Sequence, residues 1–551
     1  LKTYYPVPLH IHSVWERNAS MEGHFYNAQK LGIRHMYLTD HDIRMGRRKN
    51  HIDHFDFSKG QLRIEEPSTD PIRPIWHGFT VNRADEGTSA VVENGALTLS
   101  ACSDNAEWTT VSTTFDTSQK RHEWALLGDV QLCLGLKTSE TDTDTQIVID
   151  VELSQRPPEF QFGHILYVFG TTEGLASAYA AIKPMKDVTE FTECILSLLQ
   201  DAESVGGGDN VFRTVTFSVS ARNGKSASLS VNKMTFSYGL SWEEGRREQQ
   251  RLATEIGKKY GITPIVTTEF TAAGPHKICF STKVPIIDYE ARGYSVTDEE
   301  AMAHVRAYGG IYSRNHPFEH IKDAHRFSDS KEEQEALIDK VIEDVVTHRA
   351  WAAAAIEVGY PQKRETIGLD EHLRLWDALS AAGVFITGYG DSDNHNNDVY
   401  WFSGNNFVAY LSVYEPESTP GEEAFMAALL SGDVYTGDPV YLQNVEVTFV
   451  GSNGQQMGQV STSATATDAV LTLTNVPEGS NVVWTVNGKT VKEEACAGSY
   501  SGRVALPHDE KVNFVRAALY KDGRCFLLTN PLYHTADPSV CIPRERRCTH
   551  A

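Results

Sequence analysis

Apolar and polar positions change their spacing several times along this 551-residue chain, and those changes divide it. Near the start, His10-Ile-His12 has the two-residue repeat of a strand end, which turns both imidazoles to one face. Helical spacing follows from Met21 to Leu31, with Gly32 where helices often end in a left-handed residue. The apolar run Ile33 to Leu38 reads as a buried strand, and Thr39-Asp40-His41-Asp42 stands at its tip. From about residue 61 the pattern becomes strict alternation, as in LTLSA from Leu97, QIVIDVEL from Gln146 and FRTVTFSV from Phe212. Short alternating strands broken by Gly, Asn and Asp predict a jelly-roll-like β-sandwich over 61–240, interrupted by a helix within 171–202 and a flexible joint at Gly206.

The strand and helix rhythm resumes at Ser241. A long amphipathic helix ends at Gly261, and the strand from Ile262 leads to Glu269 and then His276. Thr297 and Glu300 form a capping box for the helix that runs to Ala307, and Ile311-Tyr-Ser leads into Arg314-Asn-His316. A helix over 331–348 precedes AAAIEV with Glu357 near its end, and a helix from Asp370 stops before the strand that runs into Gly390-Asp-Ser-Asp393-Asn-His395. After Gly437 the alternation returns, with hairpin signals at Asn487-Gly488 and Asp522-Gly523. These spacings predict four pieces: a first β/α part over 1–60, an inserted β-sandwich over 61–240, a second β/α part over 241–440, and a small C-terminal β-sandwich with a tail over 441–551.

Composition narrows the function. A formal charge of −23 argues against nucleic acid or a polyanionic membrane surface, since phosphate backbones are bound mainly through lysine and arginine. No apolar run reaches the ~18 residues that a spanning helix needs. The eight cysteines fall in no CxxC spacing, so neither a zinc ribbon nor a dense disulfide framework is indicated. The chain starts at Leu1 without a signal peptide, which leaves secretion or the cell surface open beside the cytoplasm. Oligomeric state is not legible.

One histidine at a strand end is usually a satisfied structural group. Here six successive strand exits each deliver His, Asp or Glu. Carboxylates mixed with imidazoles and no thiolate suit divalent Zn, Mn or Fe, and adjacent ions of that kind serve hydrolysis. The runs PLHIHS, YLTDHD, GGIYSRNHP and GDSDNH, with TTEFTAAGPHKICF, resemble the motifs of the polymerase and histidinol-phosphatase (PHP) family of metal-dependent phosphoesterases, over roughly 1–60 and 245–440.

That resemblance implies a distorted (β/α)7 barrel carrying two or three divalent ions, with a metal-bridging hydroxide that attacks a phosphomonoester or phosphodiester. It places His10, His12, Glu269 and Asp393 on a first metal, and has Glu269 bridge to a second metal held by His276 and His316. It places His41 and His395 on a third. Glu269, Asp393 and His41 are then its catalytic centre. The family uses an aspartate shortly after the first motif, and Glu16 is the nearest acid here, slightly out of register. Asp40, Asp42 and Asp391 read as groups that orient histidines, and Glu357 reads as structural. Arg44 and Arg314 are candidates for gripping a substrate phosphate.

An insertion between His41 and Glu269 would stand at the mouth of such a site, so an extended substrate, a phosphorylated small molecule or glycan conjugate, is expected. Trp76, Trp108 and Trp124 are candidates for stacking on sugar rings, against the plainer role of filling the sandwich core. Two other functions remain: hydrolysis of an amide or glycan linkage at the same metals, and carbohydrate binding by a chain whose metal site is inactive.

Overall fold

The computed structural model describes residues 2–14, 19–42, 51–55, 79–116, 130–238, 242–271, 275–288, 296–318, 330–359, 367–395, 401, 407–414, 420–537, 539 and 548–549. Strand is about twice as common as helix in it. Two six-stranded sheets face each other between His51 and Tyr238. One runs in the order Ala180–Pro184, Gln161–Gly170, Thr145–Arg156, Thr214–Ala221, Thr109–Asp116, Phe79–Ala84; the other is built around Gln131–Thr138, Lys225–Tyr238 and Ala96–Ser103. Alternation does what it should: Ile147, Ile149, Val151, Val215, Phe217 and Val219 of the first sheet meet Leu132, Leu134, Leu136, Leu229 and Val231 of the second in one buried core. Each such side chain contributes about 1.5–3 kcal/mol on leaving water.

The strand His51–Phe55 pairs with the end of Lys225–Tyr238. One local expectation changes here. Where a helix was expected within 171–202 there are the strands Ala180–Pro184 and Thr192–Ser197, with only Leu198–Asp201 helical.

The distorted (β/α)7 barrel followed by a small C-terminal β-sandwich is not what the chain forms. It is a mostly β structure with large antiparallel sheets. The first strand, Lys2–Val7, runs antiparallel to Val408–Tyr414, and through Val434–Gly437 it belongs to an eleven-stranded sheet with the C-terminal strands Val512–Lys521, Arg524–Thr529 and Leu532–Thr535. Parallel pairing is confined to short pieces. His35–Leu38 pairs with Thr263–Val266, and Ala355–Gly359 lies between Ser313–Arg314 and Thr387–Gly390. Thr268–Phe270 and Lys277–Cys279 make an antiparallel pair. The physical reason is length: strands of two to five residues cannot carry a continuous ladder. The strand, helix, glycine rhythm records the order of elements and is silent on which strands share hydrogen bonds.

The helices form where their faces are two-sided. Leu369–Ala381 buries Leu373, Leu375, Trp376 and Leu379, and Trp376 donates its indole N–H to Ile386 O at 3.2 Å. Asp298–Ala307 opens with the expected capping box: Thr297 Oγ1 accepts from Glu300 N, and Glu300 Oε2 accepts from Thr297 N at 2.9 Å. On Trp242–Tyr260 the inward stripe runs through Arg246, Gln249, Ala253 and Tyr260, so two polar residues lie on the packing face.

The sandwich is joined to the helix Met21–Lys30 by a buried charge cluster. Asp209 accepts from Met21 N at 2.7 Å and Glu22 N at 3.0 Å, which caps the first turn from outside the helix. Arg156 donates to Asp209 Oδ2 at 3.0 Å and Glu22 Oε2 at 3.3 Å, and also to the Asp209 carbonyl. Gly206, at φ +105°, lies so close to that guanidinium that a Cβ would strike it. Burial pushes the Asp209 carboxyl up to about 6 although Arg156 pulls it down. Arg156→Ala leaves Asp209 without its cation and Glu22 with Lys259 alone, and breaking a buried pair of this kind costs about 3–5 kcal/mol. A urea titration should show that loss as a lower midpoint; an unchanged midpoint would mean that the cluster does not hold the two parts together.

Candidate metal centre

Eight of the residues singled out by sequence come together in one hollow at the ends of the short strands. Ile11 forms an isolated bridge with Asn394, and His12 N donates to Asn394 O at 3.0 Å. Ile11 turns into the apolar core while His10 and His12 turn the other way, as the period of two requires. His41 bridges in parallel to Glu269, whose N–H donates to Asp40 O at 3.2 Å. His276 precedes the strand antiparallel to Thr268–Phe270, and Asn315 N donates to its carbonyl at 3.1 Å, which brings His316 alongside.

Glu269 is the centre of the arrangement. It is completely buried, with His41 Nε2 at 2.7 Å from Oε2 and His276 Nδ1 at 3.2 Å, His10 Nε2 at 3.3 Å and His316 Nε2 at 3.4 Å from Oε1. His12 Nε2 stands 3.5 Å from Oε2 and 3.0 Å from Asp393 Oδ1. His10 Nε2 is 3.4 Å from that Asp393 oxygen. His395 stacks on His12 with ring centroids 4.0 Å apart, and its Nδ1 lies 2.9 Å from the Asp393 carbonyl. Four overlapping sets have donor atoms close enough for one ion each: His10, His12 and Glu269; His10, His316 and Asp393; His41, Glu269 and His276; and His12, His41 and His395.

The donor chemistry fits divalent cations. His10 Nε2, both ring nitrogens of His12 and Glu269 Oε2 are buried without a hydrogen bond inside the protein. Buried polar atoms left without a hydrogen bond beside a carboxylate are costly unless a cation stands among them. Burial disfavours a charge on His10, yet Glu269, Asp393 and Glu357 outweigh it and hold its pKa well above the imidazole value. Burial, then His395 and His41, drive His12 the other way, so it stays neutral with one ring lone pair to offer. Burial would raise the Glu269 carboxyl, but His10, His276 and His41 hold it ionised. Backbone geometry adds a signal of its own: His316 and Asp393 sit at φ +22° and +47°, a region that non-glycine residues enter at a cost and that clusters at functional sites. The side chains of His276 and His395 are 24% and 17% exposed whereas His10, His12 and Glu269 are sealed, so the hollow opens past the first two.

The neighbouring acids clamp the loops. Asp40 accepts from Ser13 N and Ser13 Oγ at 2.7 Å and from Gln249 Nε2 at 2.5 Å. Asp391 takes the N–H groups of Leu9 and Ser392, and burial pushes it up to about 8. Asp42 accepts from Thr271 N and Oγ1 at 2.9 and 3.0 Å. Asp40 and Asp391 therefore fix the backbone that carries the histidines.

Two residues carry more than their sequence context shows. Asn315 donates from Nδ2 to Glu269 Oε1 at 2.8 Å; its place two residues after Ser313, on the same face, was the available signal. Glu357 lies 2.6 Å from His10 Nδ1 and accepts from His316 N at 2.6 Å. A lone acid in an apolar strand is itself a cue to look for a buried partner. Arg314 goes elsewhere: it donates to Asp298 Oδ2 at 3.0 Å and lies 4.0 Å over the Trp351 ring, nearly completely buried. Glu16, Arg44, Trp76 and Trp124 lie outside the described residues. Trp108 has the Arg222 guanidinium 4.3 Å over its ring.

No family model matches the chain, and no curated protein matches it. Among solved structures it is similar to a two-domain protein from Bacteroides vulgatus ATCC 8482 containing a predicted PHP-like metal-dependent phosphoesterase, at 16% identity over 52% of this chain and 80% of that one, with a TM-score of 0.26. It is also similar to endoglucanase Cel12A from Rhodothermus marinus, at 12% identity, 29% and 92% coverage and a TM-score of 0.22. A family 11 carbohydrate-binding module from Clostridium thermocellum, in complex with a mixed-linked tetrasaccharide, gives 9% identity, 34% and 96% coverage and a TM-score of 0.20. Likenesses this slight carry no argument, and the site is read from its own geometry. No helix among the described residues is long and apolar enough to cross a membrane.

Asp40→Ala leaves Ser13 N and Ser13 Oγ without their acceptor, while Gln249 Nε2 keeps Ser13 Oγ at 3.2 Å, at about 1–3 kcal/mol for a buried unsatisfied group. Thermal unfolding in the presence of a chelator should show this loss, and an unchanged transition would remove Asp40 from the support of the site.

Proposed function

We propose that the chain is a metal-dependent hydrolase, a phosphoesterase of PHP type acting on phosphomonoesters or phosphodiesters. The observation that carries this reading is the shared use of donors. His10, His12, His41 and Glu269 each belong to two of the four potential ligand sets, so ions held there would be close neighbours with Glu269 between them. Divalent ions at neighbouring sites supply Lewis acidity, lowering the pKa of water and offsetting charge on phosphoryl oxygens.

His10, His12, Glu269 and Asp393 would hold one ion, His276 and His316 a second beside Glu269, and His41 and His395 a third, with Zn, Mn or Fe the fitting metals. The protein's own contribution is positional. It seals His10, His12 and Glu269 from water, keeps Glu269 ionised through its histidines, and leaves His276 and His395 toward the opening, where a substrate would arrive. The imidazoles there can also hold or pass a proton toward a leaving oxygen.

Elemental analysis of the purified protein, with a panel of phosphomonoesters and phosphodiesters, tests this. More than one divalent ion per chain and metal-dependent phosphate release are expected; a metal-free protein without esterase activity ends the reading. Cleavage confined to amide or glycosidic substrates would keep the metals and overturn the ester. His10→Ala and Asp393→Ala should each lower hydrolysis by at least about a hundredfold. Near wild-type turnover in either variant contradicts the assignment.

Glu269→Gln should lose more bound metal than His395→Ala, because the carboxylate touches two of the ligand sets and His395 one. Equal losses by elemental analysis would count against a shared Glu269.

A further inference from the structure

We infer that Glu357 is the positioning residue of this centre: it sets the tautomer of His10 and holds the strained backbone of His316, and both tasks need a carboxylate. The inference rests on the functional reading above and goes on to say which group, itself outside the ligand sets, makes them competent.

Glu357 lies in the strand Ala355–Gly359 and is fully buried. Its two oxygens are used separately. Oε1 stands 2.6 Å from His10 Nδ1, and Oε2 accepts the His316 N–H at 2.6 Å. A carboxylate has only lone pairs to offer, so His10 Nδ1 carries the hydrogen and Nε2 is left to face Glu269 and Asp393. Were the hydrogen on Nε2 alone, His10 would present a donor to the cation site and lose its place in both of its ligand sets.

The second oxygen answers another need. His316 lies at φ +22°, outside the comfortable regions for a residue with a Cβ, and its N–H is directed inward by that turn. Glu357 Oε2 is the acceptor that makes this conformation affordable without water. Tyr389 completes the support: its hydroxyl lies 3.4 Å from Glu357 Oε1 and 3.0 Å from Ser313 Oγ, the hydroxyl that donates to Asn315 Oδ1, while Asn315 donates to Glu269. One buried network thus orients His10, His316 and Glu269 together.

Glu357→Gln is the informative substitution because it keeps shape and volume. A glutamine has one acceptor oxygen and an NH2 group that can only donate, so it can satisfy His10 Nδ1–H or His316 N–H and never both. The expected result is a ten- to hundredfold weaker affinity for Zn²⁺, measured on the full chain by competition with a chromophoric chelator, and a fall in kcat with KM nearly unchanged. A residue that only stabilised the fold would lower the unfolding midpoint of the metal-free protein and leave the affinity of the folded fraction alone. Wild-type Zn²⁺ affinity in Glu357→Gln overturns the inference while leaving the functional proposal in place. A wild-type protein that binds no metal sinks both, so the two failures are distinguishable. If Glu357→Gln does not fold, Tyr389→Phe serves: it removes one hydroxyl behind Glu357, and several-fold weaker Zn²⁺ binding is expected, with wild-type affinity overturning the inference.

Discussion

An ionised carboxylate in a dry interior has to be answered by positive charge, and the way Glu269 is answered governs the rest of this structure. No lysine or arginine is recorded within ion-pair distance of it among the described residues; the groups that close on its two oxygens are His10, His12, His41, His276 and His316. Imidazoles can supply charge by binding protons, or lone pairs to a cation that supplies the charge instead. A fixed ion pair would have satisfied Glu269 permanently. A ring of histidines leaves the cluster able to exchange protons for metal, which is the difference between a structural salt bridge and a site.

Such a cluster is expensive to hold open, and the surrounding polar residues show where the cost is met. Several of the segments around the histidines have a backbone N–H tied to a buried acid: Ser13 to Asp40, Leu9 to Asp391, His316 to Glu357, Thr271 to Asp42. The long helix Trp242–Tyr260 contributes from below, where Arg246 donates to the carbonyls of Val266 and Thr267 and to Thr268 Oγ1, directly before Glu269. Burial lowers the pKa of that guanidinium to about 10, still far above neutrality, so it remains a permanent donor. Behind His12, Trp401 donates to His24 Nδ1 at 3.1 Å and His24 Nε2 lies 2.9 Å from the His12 carbonyl, with burial lowering the pKa of His24 to about 4. These contacts act on the main chain, which leaves the ligand atoms free to converge.

Local rules carried a good part of this into the sequence. The i, i+2 spacing of His10 and His12, the capping box at Thr297, and the hairpins at Asn487-Gly488 and Asp522-Gly523, all four residues at positive φ, depend on neighbours within a few positions and were legible for that reason. Sheet membership was not. The first strand takes its hydrogen bonds from Val408–Tyr414, and nothing in the spacing of LKTYYPV distinguishes that partner from a parallel neighbour. Glu357 was undervalued for the same cause: its partner His10 is 347 residues away, and an acid in the run AAAIEV declares burial without declaring with whom. Arg314 shows the reverse error. Its position before the Asn-His pair invited a role toward substrate, but strand alternation turns it to the face opposite Ser313 and Asn315, where Asp298 and Trp351 receive it.

The C-terminal strands acquire a specific role from this. The strand Thr387–Gly390 leads directly to Asp393 and His395, and it is held from the far side by residues of the eleven-stranded sheet and of the connection between its strands Arg524–Thr529 and Leu532–Thr535. Asn530 accepts from Gly388 N at 2.9 Å and donates to the carbonyls of Gly388 and Val434 at 2.8 and 2.7 Å, so a single buried amide ties the strand to the sheet. Thr436 Oγ1 accepts from Gly390 N at 2.8 Å, one residue before Asp391. Arg516 reaches from the same sheet to Asp377 with two hydrogen bonds of 3.0 and 2.8 Å, fixing the helix that precedes the strand. Asp393 occupies a left-handed backbone conformation that a free loop would relax, so the residues on either side must be constrained for the carboxylate to face His10 and His12. Because the sheet supplies that constraint through Asn530 and Thr436, a region outside the His, Glu and Asp cluster is part of what makes the geometry of the cluster attainable.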